Sequence, residues 1–126
     1  MKTRIRARKA SQTPEGNIQR AIMQYLRYRK VACWRINVIG IPMGDGKYRP
    51  NPEMVGVADI HCIIPVKGIG ASVHLEVKAP KKKQTEHQLE FQRKVETAGG
   101  YYFVVRSVED VQQVLEKLTT VKSSPE

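Results

Sequence analysis

The sequence predicts an α/β domain of order α-β-β-β-α-β-α, a mixed four-stranded sheet flanked by helices. Three observations carry this. Apolar residues recur at helical spacing in three segments, each preceded by a capping residue. Four short runs rich in β-branched and aromatic residues separate them. The last strand, helix and strand succeed one another as a parallel crossover requires, whereas the earlier strands follow as a meander.

In chain order, residues 1 to 12 (Lys2, Arg4, Arg6, Arg8 and Lys9 among small and polar neighbours) show no apolar face and read as a basic arm. Thr13 suits an N-cap and Pro14 a first helical position, and Ile18, Ala21, Ile22, Tyr25 and Leu26 follow on one face, predicting a helix over 14–30. VACWRINV, 31–38, reads as the first strand. The stretch 39–56 holds four Gly and three Pro and reads as a long irregular loop. VADIHCIIP (57–65) and SVHLEVK (72–78) read as a hairpin. Thr85 and Gln88 form the T-x-x-Q of a capping box opening a helix over 85–98, which Gly99 and Gly100 stop. YYFVVR, 101–106, is the fourth strand. Ser107 then caps a last helix whose inner face carries Val108, Val111, Val114, Leu115 and Leu118. The domain is placed at 13–120, with 121–126 a tail.

Composition narrows the function. The 126 residues suit one domain, and 40% hydrophobic residues suffice for a core. No segment has the length of apolar residues that a membrane span needs, and the first ten residues lack the apolar centre of a secretory signal. Two cysteines, Cys33 and Cys62, without a C-x-x-C, point away from disulfide stapling and structural zinc and fit a reducing cytoplasm. The net charge of +10 is polarised: residues 1 to 49 carry 12 basic residues against Glu15 and Asp45, while residues 50 to 126 carry ten of each sign. Such a field attracts a polyanion, nucleic acid before an anionic membrane surface.

Strand alternation concentrates the chemistry. In SVHLEVK, His74, Glu76 and Lys78 share one face; in VADIHCIIP, Asp59 and His61 share one. Antiparallel pairing then sets Asp59 beside Glu76, two carboxylates that repel unless a cation holds them, and oxygen donors suit Mg²⁺. Glu15 falls on the sheet-facing side of the first helix, as a third acid or as a complement to the helix N-terminus. Taken alone, E-x-K also describes a solvated surface pair, and Gln88 a capping residue with no further role. His61, His74 and His87 lack zinc-ligand spacing, and GDGKYR lacks that of a phosphate-binding loop.

Together, TPEGNIQ with Glu15, GVADI with Asp59, HLEVK with Glu76 and Lys78, TEHQLEF with Gln88, and GGYYFVV followed by SVEDV resemble the VRR-NUC (virus-type replication-repair nuclease) domain of the PD-(D/E)xK nuclease superfamily, over about residues 13 to 112. One departure is Ala58, where the superfamily usually has proline before the acid. The resemblance implies a restriction-endonuclease-like core and a Mg²⁺ or Mn²⁺ dependent phosphodiesterase. Asp59, Glu76 and Glu15 would place the ion with the Val77 carbonyl, Lys78 would position and activate water, and Gln88 would hold Lys78 or the water. It also implies a homodimer that nicks branched DNA such as four-way (Holliday) junctions. Arg4, Arg6, Arg8, Arg27, Arg29, Lys30, Lys47, Arg49, Lys81, Lys82 and Lys83 are the expected DNA contacts. A sequence- or end-directed nuclease on the same fold and a non-catalytic nucleic-acid-binding protein are the competing readings.

Overall fold

A computed structural model describes residues 13–36 and 41–120. The basic arm, the end of the predicted first strand at 37–38 and the tail lie outside the described residues. The elements are α1 (Pro14–Tyr28), β1 (Ala32–Arg35), β2 (Ile41–Pro42), β3 (Tyr48–Arg49), β4 (Ile60–Val66), β5 (Ile69–Val77), α2 (Glu86–Thr97), β6 (Tyr101–Val105) and α3 (Val108–Thr119).

The capping residues act as the sequence predicts. Thr13 accepts from the Gly16 N–H, with Pro14 opening α1. Thr85 and Gln88 form both arms of a capping box, and Ser107 accepts from the Asp110 N–H. Each oxygen satisfies an N–H that a first helical turn leaves without a partner. Helix α1 ends two residues before the predicted boundary, because Arg29 is its C-cap and Lys30 turns into the left-handed region at φ 59°.

The main sheet runs β1-β4-β5-β6, antiparallel except for the parallel pair β5 and β6 across α2. The predicted mixed four-stranded sheet is therefore present. The stretch 39–56 is not wholly irregular. Ile41–Pro42 pairs with Tyr48–Arg49 as a minimal second sheet, so Gly44 and Gly46, both at positive φ, serve a hairpin turn. This hairpin packs on no other helix or strand among the described residues. The β4–β5 hairpin is shifted relative to expectation: β4 begins at Ile60, leaving Asp59 just outside, and β5 begins three residues early at Ile69.

One face of the sheet is the core. Ile60, Cys62 and Ile64 of β4, Val73, Leu75 and Val77 of β5, and Val105 of β6 meet Ile22, Met23 and Leu26 of α1 and Val111, Leu115 and Leu118 of α3. Strand alternation, strict in the burial of β4 and broken at the end of β5 where Glu76 is also buried, sends the intervening residues to the opposite face, where α2 lies against β6. Helix α2 buries no residue fully, so this second face is only partly covered. No helix among the described residues is long and apolar enough to cross a membrane.

Candidate active site

The site is built at one end of the partly covered face. The β4–β5 register aligns Ile60 with Leu75 and His61 with His74, and one further step brings Asp59 level with Glu76. Asp59 is anchored on both sides of this register. Its backbone carbonyl accepts from the Ile36 N–H at 2.8 Å, and its Oδ2 accepts from the Val77 N–H at 2.8 Å.

Glu76 and Lys78 do not form a solvated pair. Their relative exposures are 3% and 8%, and they are the only charged residues among the buried described residues. Burial of both at the end of a central strand is costly unless each gains from its neighbours. For Glu76 the surroundings are unfavourable to charge: desolvation first, then the negative Asp59 beside it, push its carboxyl up to about 8, against a partial offset from Lys78. Burial also raises Asp59, countered by the Val77 N–H. A carboxyl whose ionisation is suppressed by burial and by a neighbouring acid is a place where a cation is worth more than on an open surface.

Gln88 holds this arrangement through the capping box. Its Oε1 accepts from the Thr85 N–H at 2.9 Å while its own N–H donates to Thr85 Oγ1 at 3.2 Å. The amide is thereby oriented, and its Nε2 donates to Glu76 Oε2 at 3.0 Å. Capping and site-building coexist in one residue, and the group held is Glu76, not Lys78. The other oxygen, Glu76 Oε1, is buried with no hydrogen-bond partner. That is tolerated because the carboxyl is held largely protonated at neutral pH, and a bound cation would replace the proton.

Glu15 reaches the site from α1, where its Oε2 accepts from the Ala79 N–H at 3.2 Å. Arg106 clamps the same residue from the other side, donating from Nη1 to the Ala79 carbonyl at 2.8 Å. The Lys78 N–H donates to the Val105 carbonyl at 3.0 Å. The backbone around Lys78 is thus fixed by a third acid, an arginine and β6. Glu15 belongs to the site and also stands in the first turn of its helix. Its carboxylate is engaged by Ala79, and among the described residues no three His, Cys, Asp or Glu side chains already form a metal-ligating cluster. Two acids meet, and the third stands within electrostatic reach of both.

The expected DNA contacts divide. Lys81, Lys82 and Lys83 are exposed on the segment that leaves Lys78. Arg27, Arg29 and Lys30 are exposed at the far end of α1, Arg27 about 18 Å from Glu15 by helical rise over twelve residues. Lys47 and Arg49 stand on the separate hairpin, and Arg4, Arg6 and Arg8 lie outside the described residues. Sequence reasoning missed Arg106, which ends a strand with no motif around it. It also missed Gly56, whose φ is 83° and whose Cβ position lies 2.3 Å from the His87 carbonyl oxygen. The chain before Asp59 therefore passes against the first turn of α2 with no room for a side chain.

No protein-family model and no curated protein matches the sequence significantly. Among solved structures, one described as a VRR_NUC domain superposes with a TM-score of 0.59 at 23% identity, covering 82% of this chain and 96% of that one. The chain has the fold of that VRR_NUC domain.

Proposed function

We propose, from that shared fold and this site, that the chain is a nuclease of the PD-(D/E)xK type, a divalent-cation-dependent endonuclease acting as a homodimer on branched DNA. The observation that carries the reading is the pairing of half-buried Asp59 with buried Glu76, whose Oε1 is unpartnered, beside Lys78. The donor set fits Mg²⁺ or Mn²⁺: it is all oxygen, it is short of positive charge, and its third acid, Glu15, needs only to release one peptide N–H. Asp59, Glu76 and Glu15, with the Val77 carbonyl, would hold the ion. When bound, it supplies charge stabilisation at the phosphoryl oxygens and a more acidic water.

The chain's own residues do the rest. Gln88 fixes the rotamer of Glu76. Glu15 and Arg106 fix the backbone after Lys78, so that the ammonium is a preorganised positive charge at the reacting phosphate and a partner for the attacking water. Lys81, Lys82 and Lys83 track the phosphate backbone next to the cut, and the excess positive charge of the N-terminal part adds affinity without reading sequence. A two-fold dimer would present two such sites to a roughly symmetric junction.

The test incubates purified protein with a labelled four-way junction and a matched linear duplex in Mg²⁺, Mn²⁺ or EDTA. The reading expects nicks in the junction with either ion and none in EDTA. Binding without ion-stimulated cutting would instead establish a passive nucleic-acid binder, and equal cutting of both DNAs would remove branch selectivity.

A further inference from the structure

The face that carries the acids carries a second feature for which phosphodiester hydrolysis has no use. Trp34, His61, His74 and Tyr102 are register partners across all four strands of the main sheet, so their rings form one transverse row. The His61 and His74 rings stack with centroids 4.5 Å apart and planes 16° from parallel. Ser72 Oγ sits between them, 2.9 Å from one Nε2 and 3.0 Å from the other. Phe91 of α2 meets His74 edge-on at 5.3 Å and closes the covered end of the row.

The other end is open. Trp34, the only tryptophan of the chain, stands on the edge strand β1 with its ring edge-on to His61 at 5.2 Å and 75°. It is 44% exposed. An indole held by a histidine, itself held by a second histidine and a serine, has little rotamer freedom left to lose, so a flat ligand laid on it incurs little ordering cost. Trp34 lies in the part of the chain, residues 1 to 49, that carries the whole net charge of +10. Aromatic surface beside positive charge is the combination that single-stranded nucleic acid uses.

Position selects which base. Trp34 stands one strand over from Asp59 and two residues along, about 8 Å by strand spacing and rise. A base within a continuous duplex has both faces covered by its neighbours, so the base that lies on Trp34 is an unpaired one near the phosphate at the acids. We propose that Trp34, braced by His61 and His74, is a stacking platform for an unpaired nucleobase flanking the phosphate to be cut. The adjacency to a cut rests on the nuclease reading; the stacking does not. The preferred DNA is then one with a splayed base or single-stranded flank at the site, not continuous duplex.

The single tryptophan makes the test direct. Wild-type protein in EDTA, where no turnover occurs, is titrated with a single-stranded oligonucleotide and with the same backbone made abasic throughout, following Trp34 emission and, in parallel, fluorescence anisotropy of a labelled strand. The proposal expects emission to change with the base-bearing strand only, and Trp34→Ala to weaken binding of that strand about ten- to a hundredfold, down to the affinity of the abasic strand for wild type. Trp34→Phe, which keeps a ring, should bind between the two, and circular dichroism shows that both variants are folded. Unchanged emission at saturation, or equal affinity of wild type and Trp34→Ala for both strands, overturns the proposal. So does emission that changes on protein dilution without DNA, which would mean that a second copy covers Trp34. Because the assay needs no cleavage, a protein that stacks bases yet never cuts a junction would retire the nuclease reading and leave this one standing.

Discussion

Replacing Glu76 by glutamine should make the metal-free protein less sensitive to alkali, and the size of the effect follows from the site. The folded protein holds the Glu76 carboxyl at about 8 against an ordinary 4.5, because it is buried and faces Asp59. Between those values the folded state binds a proton that the unfolded state has released, so stability falls as pH rises from about 4.5 towards 8 and is lost above it. At about 1.36 kcal/mol per unit, the loss between pH 6 and pH 8 comes to about 2 kcal/mol once partial ionisation near pH 8 is included. For a domain of this size that is about 8 °C in Tm. The substituted amide cannot ionise, keeps an oxygen for the Gln88 side chain, and should lose none of this share. The assay is thermal melting of wild type and Glu76→Gln in EDTA at pH 6, 7 and 8. The difference between the two curves cancels other titrating groups such as His74, which burial pushes down. Parallel curves would refute the reasoning, since Glu76 would then titrate normally and the electrostatic case for a cation site would be lost.

Lys78→Ala and Asp59→Asn should each abolish junction cleavage while junction affinity by electrophoretic shift stays within about threefold of wild type, since phosphate contacts dominate affinity. Gln88→Ala should destabilise the protein by about 1–2 kcal/mol in denaturant melts, through the lost cap and the unpartnered Glu76 Oε2. Gly56→Ala should cost at least about 1–3 kcal/mol, because its φ is 83° and its Cβ would meet the His87 carbonyl oxygen at 2.3 Å; a wild-type melt would mean that the 51–58 segment does not lie against α2. Deleting residues 2 to 9, which removes five basic side chains, should flatten the plot of log affinity against log salt by up to about four units; an unchanged slope would make the arm a bystander.

Local signals in the sequence specified much of this fold. Thr13, Thr85 and Ser107 mark helix starts by a chemistry that acts within four residues, and the alternation of VADIHCIIP and SVHLEVK assigns faces whatever surrounds them. The encounter of Asp59 with Glu76 was legible for the same reason, since a hairpin around Lys67 and Gly68 leaves few registers. What depends on distant packing was not. E-x-K reads equally as a solvated pair, and only packing by elements distant in the chain makes Glu76 and Lys78 buried. The clamp of Glu15 and Arg106 on Ala79 joins residues far apart in the chain and leaves no local pattern. The short hairpin within 39–56 was hidden because Gly and Pro argue against strands in general while suiting a two-residue ladder and its turn.

The most direct measurement is a crystal of the metal-free protein soaked in Mn²⁺ and measured for anomalous scattering. The account predicts a peak bounded by the carboxylates of Asp59 and Glu76, with Glu15 turned from Ala79 towards it. An ordered site with no peak, or a peak on His61 and His74 instead, would contradict it.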